Sequence, residues 1–475
     1  MNDVASHTYE RVHEPHAARR AALACMVTLA VAIGIGRFAF TPLLPLMLHG
    51  TASGQPPLDI QHGGWLASFN YAGYFIGALT CAAWRIDPAR MVRVGLVATV
   101  FLTLVMGVTD QFGVWALTRF IAGAVSAWTF VFASQWGLRR LAELGANVWS
   151  GVIYTGPGVG IVGTGLLVSA AGGYGAALGW IGFAVIGAVL SVLVWPVFSA
   201  TPAAGAAAAG VAAVKAAAAR AAGADAVVRE APRAADSFAS SRSALNEQAA
   251  SLGSDATVNG QAANRRKAGH AAASHARTTP ATHRADAFWL ILLYGIPGFG
   301  YIITATFLPV IARHALPGSS WPDLFWPMFG AALIIGALLA ARLPVHWDNR
   351  ALLAGSYVLQ AIGIALGIVW PTAGGFSLGS ILIGLPFTAI TLFAMREARR
   401  LHGDDAAGLM GYATAAYGIG QIAGPLVAAP IAAHTGSFSL ALWLAAGALV
   451  AGAAGLVVVA RVPRGRGRMP ACDCN

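Results

Sequence analysis

Twelve apolar runs follow one another along the chain, each bounded by short polar or basic segments. They cover residues 21–48, 63–84, 91–109, 112–138, 147–171, 176–198, 286–312, 324–343, 351–370, 375–398, 406–433 and 437–460. A helix crosses a bilayer with about 20 mostly apolar residues. These runs are too long and too evenly apolar for the alternating ten-residue pattern of a membrane barrel. They predict an all-α membrane protein of twelve transmembrane helices. The pattern breaks once, over residues 200–285, where Ala, Ser, Arg and Gly dominate. Such a stretch cannot bury a core and is expected to be a disordered or loosely helical cytoplasmic linker. The chain thus divides into a tail (1–20), a six-helix half (21–199), the basic linker (200–285), a second six-helix half (286–461) and a second tail (462–475).

Composition agrees: 57% of the residues are hydrophobic and 10% charged, against roughly 25% charged in soluble domains. The first apolar run is too long for a signal core and lacks a small-residue cleavage site, so it is expected to stay as the first span. The net charge of +11 reads as topology rather than as a nucleic-acid footprint. Outside the linker, basic residues gather on one side, among them Arg19, Arg20, Arg85, Arg90, Arg93, Arg139, Arg140, Arg342, Arg350, Arg399, Arg400 and Arg461. The opposite loops carry Arg313. The positive-inside rule then places both termini in the cytoplasm. The expected setting is a bacterial inner membrane, with the lipid bilayer and a small-molecule substrate as partners, no nucleic acid, and a monomeric chain. Cys25 and Cys81 fall in apolar runs and Cys472 and Cys474 in the tail. They suggest neither a disulfide framework nor a metal site, and no cofactor is expected.

The two halves repeat each other. Gly34-Ile35-Gly36-Arg37 with Leu44-Pro45 matches Gly298-Phe299-Gly300-Tyr301 with Leu308-Pro309. Gly151 with Gly158-Val159-Gly160 matches Gly411 with Gly418-Ile419-Gly420, and Arg139-Arg140-Leu141 matches Arg399-Arg400-Leu401. An even number of helices per half makes the repeats parallel, related by an axis along the membrane normal. This plan resembles the major facilitator superfamily. T-R-F-I-A-G (118–123) is similar to that superfamily's arginine-glycine motif, and G-P-G-V-G (156–160) and G-Q-I-A-G-P (420–425) to its glycine-proline motif. The helix 1 stretch G-I-G-R-F-A-F-T-P-L-L-P closely resembles the YbfB-like branch. The resemblance implies a transporter whose helices 1, 4, 7 and 10 line a central cavity, while helices 2, 5, 8 and 11 form the interface along which the halves rock. In the loop signature, W-R-I-D-P-A-R-M-V-R (84–93), Pro88 and Met91 replace two usual residues. Asp87 and Arg90 remain its gating candidates.

Candidate chemistry is sparse. No Asp, Glu or His lies well inside a run, whereas Arg37 and Arg119 do. Intramembrane ionisable groups are costly and usually functional. Arg37 sits about 24 Å from the start of its run, and Arg119 roughly 10 Å below the outer end of the fourth, so both fall in the outer half of the membrane. Facing one cavity, two guanidiniums form a bidentate site for a carboxylate or phosphate. The other reading has each arginine pairing with helix carbonyls or snorkelling outward. Tyr301 occupies the repeat position of Arg37 and offers a hydrogen bond from the other half. Tyr417, Gln421, Asn70 and Gln135 are further polar groups at membrane depth, serving as ligand contacts or as interhelical bonds. Hydrolase and nucleotide-binding signatures are absent, so an enzyme is not expected. The favoured expectation is a secondary or facilitative transporter of a small organic anion. Its rivals are a multidrug or metabolite exporter with an apolar cavity, and a membrane sensor that signals through the linker.

Overall fold

The computed structural model describes residues 3–50, 57–81, 86–171, 175–198, 281–344, 346–402 and 406–461. Nearly all of the expected linker, Arg85 and the C-terminal cysteines lie outside them. Eleven helices among the described residues are long and apolar enough to cross a membrane. They are α1 (His16–His49), α3 (Pro88–Val108), α4 (Phe112–Glu143), α5 (Asn147–Ala171), α6 (Gly175–Phe198), α7 (Ala285–Ala315), α8 (Pro322–Ala340), α9 (Asn349–Val369), α10 (Ala373–His402), α11 (Gly408–Thr435) and α12 (Ser439–Arg461). The twelfth expected span is α2 (Ile60–Cys81), 22 residues long. It lacks the apolarity of the others because it carries Gln61, His62, Asn70 and four glycines. Twelve crossings return both chain ends to one side, here the terminal face; the opposite side is the far face.

Small residues let the helices of each half approach closely. Gly34 of α1 lies against Gly160 of α5, where a Cβ on Gly160 would stand 2.6 Å from the Gly34 Cα. Two further glycine pairs spaced four residues apart behave alike: Gly73 and Gly77 of α2 abut α4, and Gly420 and Gly424 of α11 abut α7. These pairs therefore tighten each half internally. The halves meet elsewhere, where α2 packs on α11 and α5 on α8, the helices that the resemblance implied.

Helix α1 changes winding at the site. It is α-helical to Leu29, π-helical over Ala30–Phe38, and α-helical again over Phe40–His49. A π turn uses i→i+5 bonds and shifts which carbonyls find donors. In that register the Arg37 carbonyl would look to residue 42, which is a proline without an N–H.

Candidate functional site

The Arg37 carbonyl is met from α4. Arg119, 2% exposed, donates from Nη2 to the Arg37 carbonyl at 3.2 Å and from Nη1 to the Gly36 carbonyl at 3.4 Å. Its guanidinium lies 4.7 Å from the centre of the Phe40 ring. The α2 side chain Asn70 in turn donates to the Arg119 backbone carbonyl at 2.9 Å. Both Arg119 Nη groups are thus engaged in holding the π segment of α1.

The Arg37 side chain is free to turn the other way, toward the second half. It is buried, and its Nη2 donates to Gln421 Oε1 of α11 at 2.9 Å. The Gln421 amide donates onward to the Tyr301 hydroxyl of α7. Three rings surround the guanidinium, with centres at 4.2 Å (Tyr74), 4.9 Å (Tyr71) and 5.2 Å (Phe38). Its Nε is buried without a hydrogen-bond partner. Among the described residues neither Arg37 nor Arg119 is in an ion pair. A buried charge normally has one, so the uncompensated cation is the defining feature of the site.

Tyr301, the repeat counterpart of Arg37, and Tyr417 and Gln421, noted as polar groups at membrane depth, gather near Arg37. Tyr301 stacks on Tyr417 with centres 5.9 Å apart, Tyr417 stacks on Tyr294 at 5.0 Å, and Phe387 meets Tyr301 edge-on at 4.9 Å. Arg37, Gln421, Tyr71 and Tyr301 are buried, while Tyr74, Tyr417 and Phe387 are half-buried. Chain direction orders them. Helix α2 runs toward the terminal face, so Tyr74 lies about 4.5 Å nearer that face than Tyr71. Helix α11 runs away from it, so Tyr417 lies about one turn nearer than Gln421. The cation and glutamine form a roof, with half-buried rings beneath it.

Four hydrogen bonds between described residues cross from half to half: Arg37 to Gln421, Thr41 to the Ala305 carbonyl, Ser68 to the Ile422 carbonyl, and Tyr71 with Thr306. All lie between mid-membrane and the far face.

A family model described as "Uncharacterised MFS-type transporter YbfB" matches residues 29–228 and 247–458. The chain belongs to this YbfB-type transporter family. It is a multi-pass membrane protein of a family whose members carry small molecules. Its fold is that of solved transporters. A point mutant of the peptide transporter POT in complex with sulfate aligns at TM-score 0.63 and 14% identity, covering 92% of this chain and 94% of the other. A point mutant of the nucleoside transporter NupG aligns at TM-score 0.62 and 13% identity, covering 92% and 99%. A curated relative, "Chloramphenicol resistance protein" of Streptomyces lividans, is 34% identical over 161 residues. That match spans 31% of this chain and 37% of the relative.

In this YbfB-type chain Asp87 caps α3, its Oδ2 accepting from the Arg90 backbone N–H at 2.9 Å, and both residues are exposed. A buried charge cluster stands instead at the terminal-face end of the second half. Arg350 at the start of α9 donates to Glu397 of α10 at 2.6 Å, to Asp286 of α7 at 2.7 Å and to the Val459 carbonyl of α12 at 2.9 Å. In the sequence Asp286 and Glu397 stand at the ends of their apolar runs, where nothing marks them as partners of Arg350. The sequence reading also missed Tyr71 and Tyr74, whose i, i+3 spacing on α2 was the available signal.

Proposed function

We propose that this transporter carries a small organic anion by alternating access, with Arg37 as its electrostatic anchor. The observation that carries the reading is a buried guanidinium between the two halves that bonds to the opposite half and has no counter-ion among the described residues. An anionic substrate would supply that missing charge. Arg119 acts in this reading as a positioning residue that fixes the π segment bearing Arg37. Tyr301, Gln421 and Tyr417 complete the site from the second half. The basic loops make the terminal face cytoplasmic, in a bacterial inner membrane. Inter-half bonds that start at mid-membrane and run to the far face then hold the two halves together on the outer side. The chain acts as a monomeric transporter without catalysis, cofactor or nucleic-acid partner, its halves tethered by residues 200–285. Among the described residues the site holds no Asp, Glu or His, the usual proton carriers, so exchange or facilitated diffusion fits it best.

A second reading, efflux of neutral aromatic compounds, draws on the ring-lined roof and on the chloramphenicol-resistance relative. Thermal unfolding of the purified chain separates the two, because a ligand of the native state raises its stability. Carboxylates and phosphates should stabilise the wild type and lose that effect in Arg37→Gln. Stabilisation by neutral aromatics alone, equal in both proteins, would transfer the site to the efflux reading.

A further inference from the structure

Resting on the anion reading, the geometry points to a narrower substrate class: we propose that the site takes planar aromatic monocarboxylates. Three observations converge. The first is the number of available donors. Both Arg119 Nη groups are engaged with the Gly36 and Arg37 carbonyls. Its Nε, like that of Arg37, is a buried donor without a partner, but those two bonds pin Arg119 to α1 and leave Arg37 as the guanidinium that reaches the second half. The cluster around Arg350 already contains its own carboxylates. One available fork suits one carboxylate rather than a dicarboxylate or a phosphate dianion.

The second is how Arg37 is presented. Rings of Tyr74, Tyr71 and Phe38 lie 4.2–5.2 Å from its carbon, while its Nε is a buried donor with no partner. A carboxylate meets a guanidinium in plane, edge to edge. Its charge also competes well with the neutral amide oxygen of Gln421, since charge-assisted hydrogen bonds are roughly twice as strong. Binding therefore releases Gln421, one of the cross-half bonds, and couples occupancy to separation of the halves.

The third is what lies below the cation. Tyr74 comes from one half and Tyr417 from the other; both are half-buried, and chain direction sets Tyr74 nearer the terminal face than Tyr71 and Tyr417 nearer it than Gln421. Tyr417 is the middle of a stack that runs Tyr294, Tyr417, Tyr301 with interplanar angles of 28° and 23°. Both faces of Tyr417 are taken by this stack, so a ring attached to the carboxylate meets Tyr417 and Tyr74 edge to face, and such aromatic pairs contribute beyond the area they bury.

The test uses the full-length detergent-solubilised chain and four probes: benzoate, cyclohexanecarboxylate, phthalate and benzamide, with affinities from calorimetric titration. Benzoate is expected to bind at least about tenfold tighter than each of the others, a difference of about 1.4 kcal/mol. Tyr417→Leu and Tyr74→Leu should bring the ratio of benzoate to cyclohexanecarboxylate close to one. Equal binding of the two monocarboxylates by the wild type, both lost in Arg37→Gln, overturns the aromatic class and leaves the anion reading standing. Tighter binding of phthalate overturns the single-charge argument. Benzamide binding as well as benzoate, with neither altered by Arg37→Gln, overturns both readings, as does no binding by any probe. If the tyrosine variants do not fold, the wild-type ratios decide alone.

Discussion

The Thr41 hydroxyl of α1 donates to the Ala305 carbonyl of α7 at 3.0 Å across a sequence separation of 264 residues. That separation equals the repeat offset of the two helices (301 − 37), so the bond joins equivalent positions of the two halves. Equivalent residues touch only near the axis that relates them, and this contact marks where that axis passes between the halves on the far side of Arg37. We predict that Thr41→Val, which keeps the shape and removes the donor, weakens this closure by about 1 kcal/mol. Spectroscopic distances between labels on the far-face ends of α1 and α7 should show a roughly fivefold shift toward separated halves.

Arg119 and Pro42 act on the same carbonyl from two directions. Arg119→Leu leaves the Gly36 and Arg37 carbonyls buried without their donor and is expected to lower stability by about 2–4 kcal/mol. Pro42→Ala restores an N–H to α1. Unfolding of the double variant should therefore show less loss than the two single losses added, with a coupling of about 0.5–3 kcal/mol. Strict additivity would mean that the arginine does not compensate for the π segment.

Gly158 of α5 faces the second half. A Cβ there would stand 2.5 Å from Ile334 Cγ1 and 3.0 Å from the Gly330 carbonyl oxygen of α8. Gly158→Val should thus leave each half folded while disfavouring this arrangement of the halves. Transport should fall at least about tenfold with little loss of melting temperature. The same substitution at Gly160, which packs inside its half against Gly34, should reduce the melting temperature instead.

Glu397 is 1% exposed and holds both Arg350 and Arg400. Removing one partner of a buried ion pair strands the other charge, at about 3–5 kcal/mol. Glu397→Ala should therefore destabilise the second half, and melting of the purified variant tests it. Arg139 and Arg140, which pair with Glu143 on an exposed surface, should cost less than about 1 kcal/mol each on substitution.

Apolar runs, loop charges and repeat offsets determined the twelve helices, their grouping into two halves and the family, because each follows from local hydropathy or from direct comparison of segments. Arg37, Tyr301, Tyr417 and Gln421 were also legible as polar groups at membrane depth. Tertiary structure alone decided which way they face. The two arginines share a membrane level but not their partners: Arg119 bonds to carbonyls of the π segment of α1 and Arg37 to Gln421 of the other half. The residues that surround its guanidinium lie on α1 and α2, and the glutamine that receives its hydrogen bond lies on α11. Period and spacing fix a residue's height along its own helix; helix rotation, which only packing sets, determines what it meets.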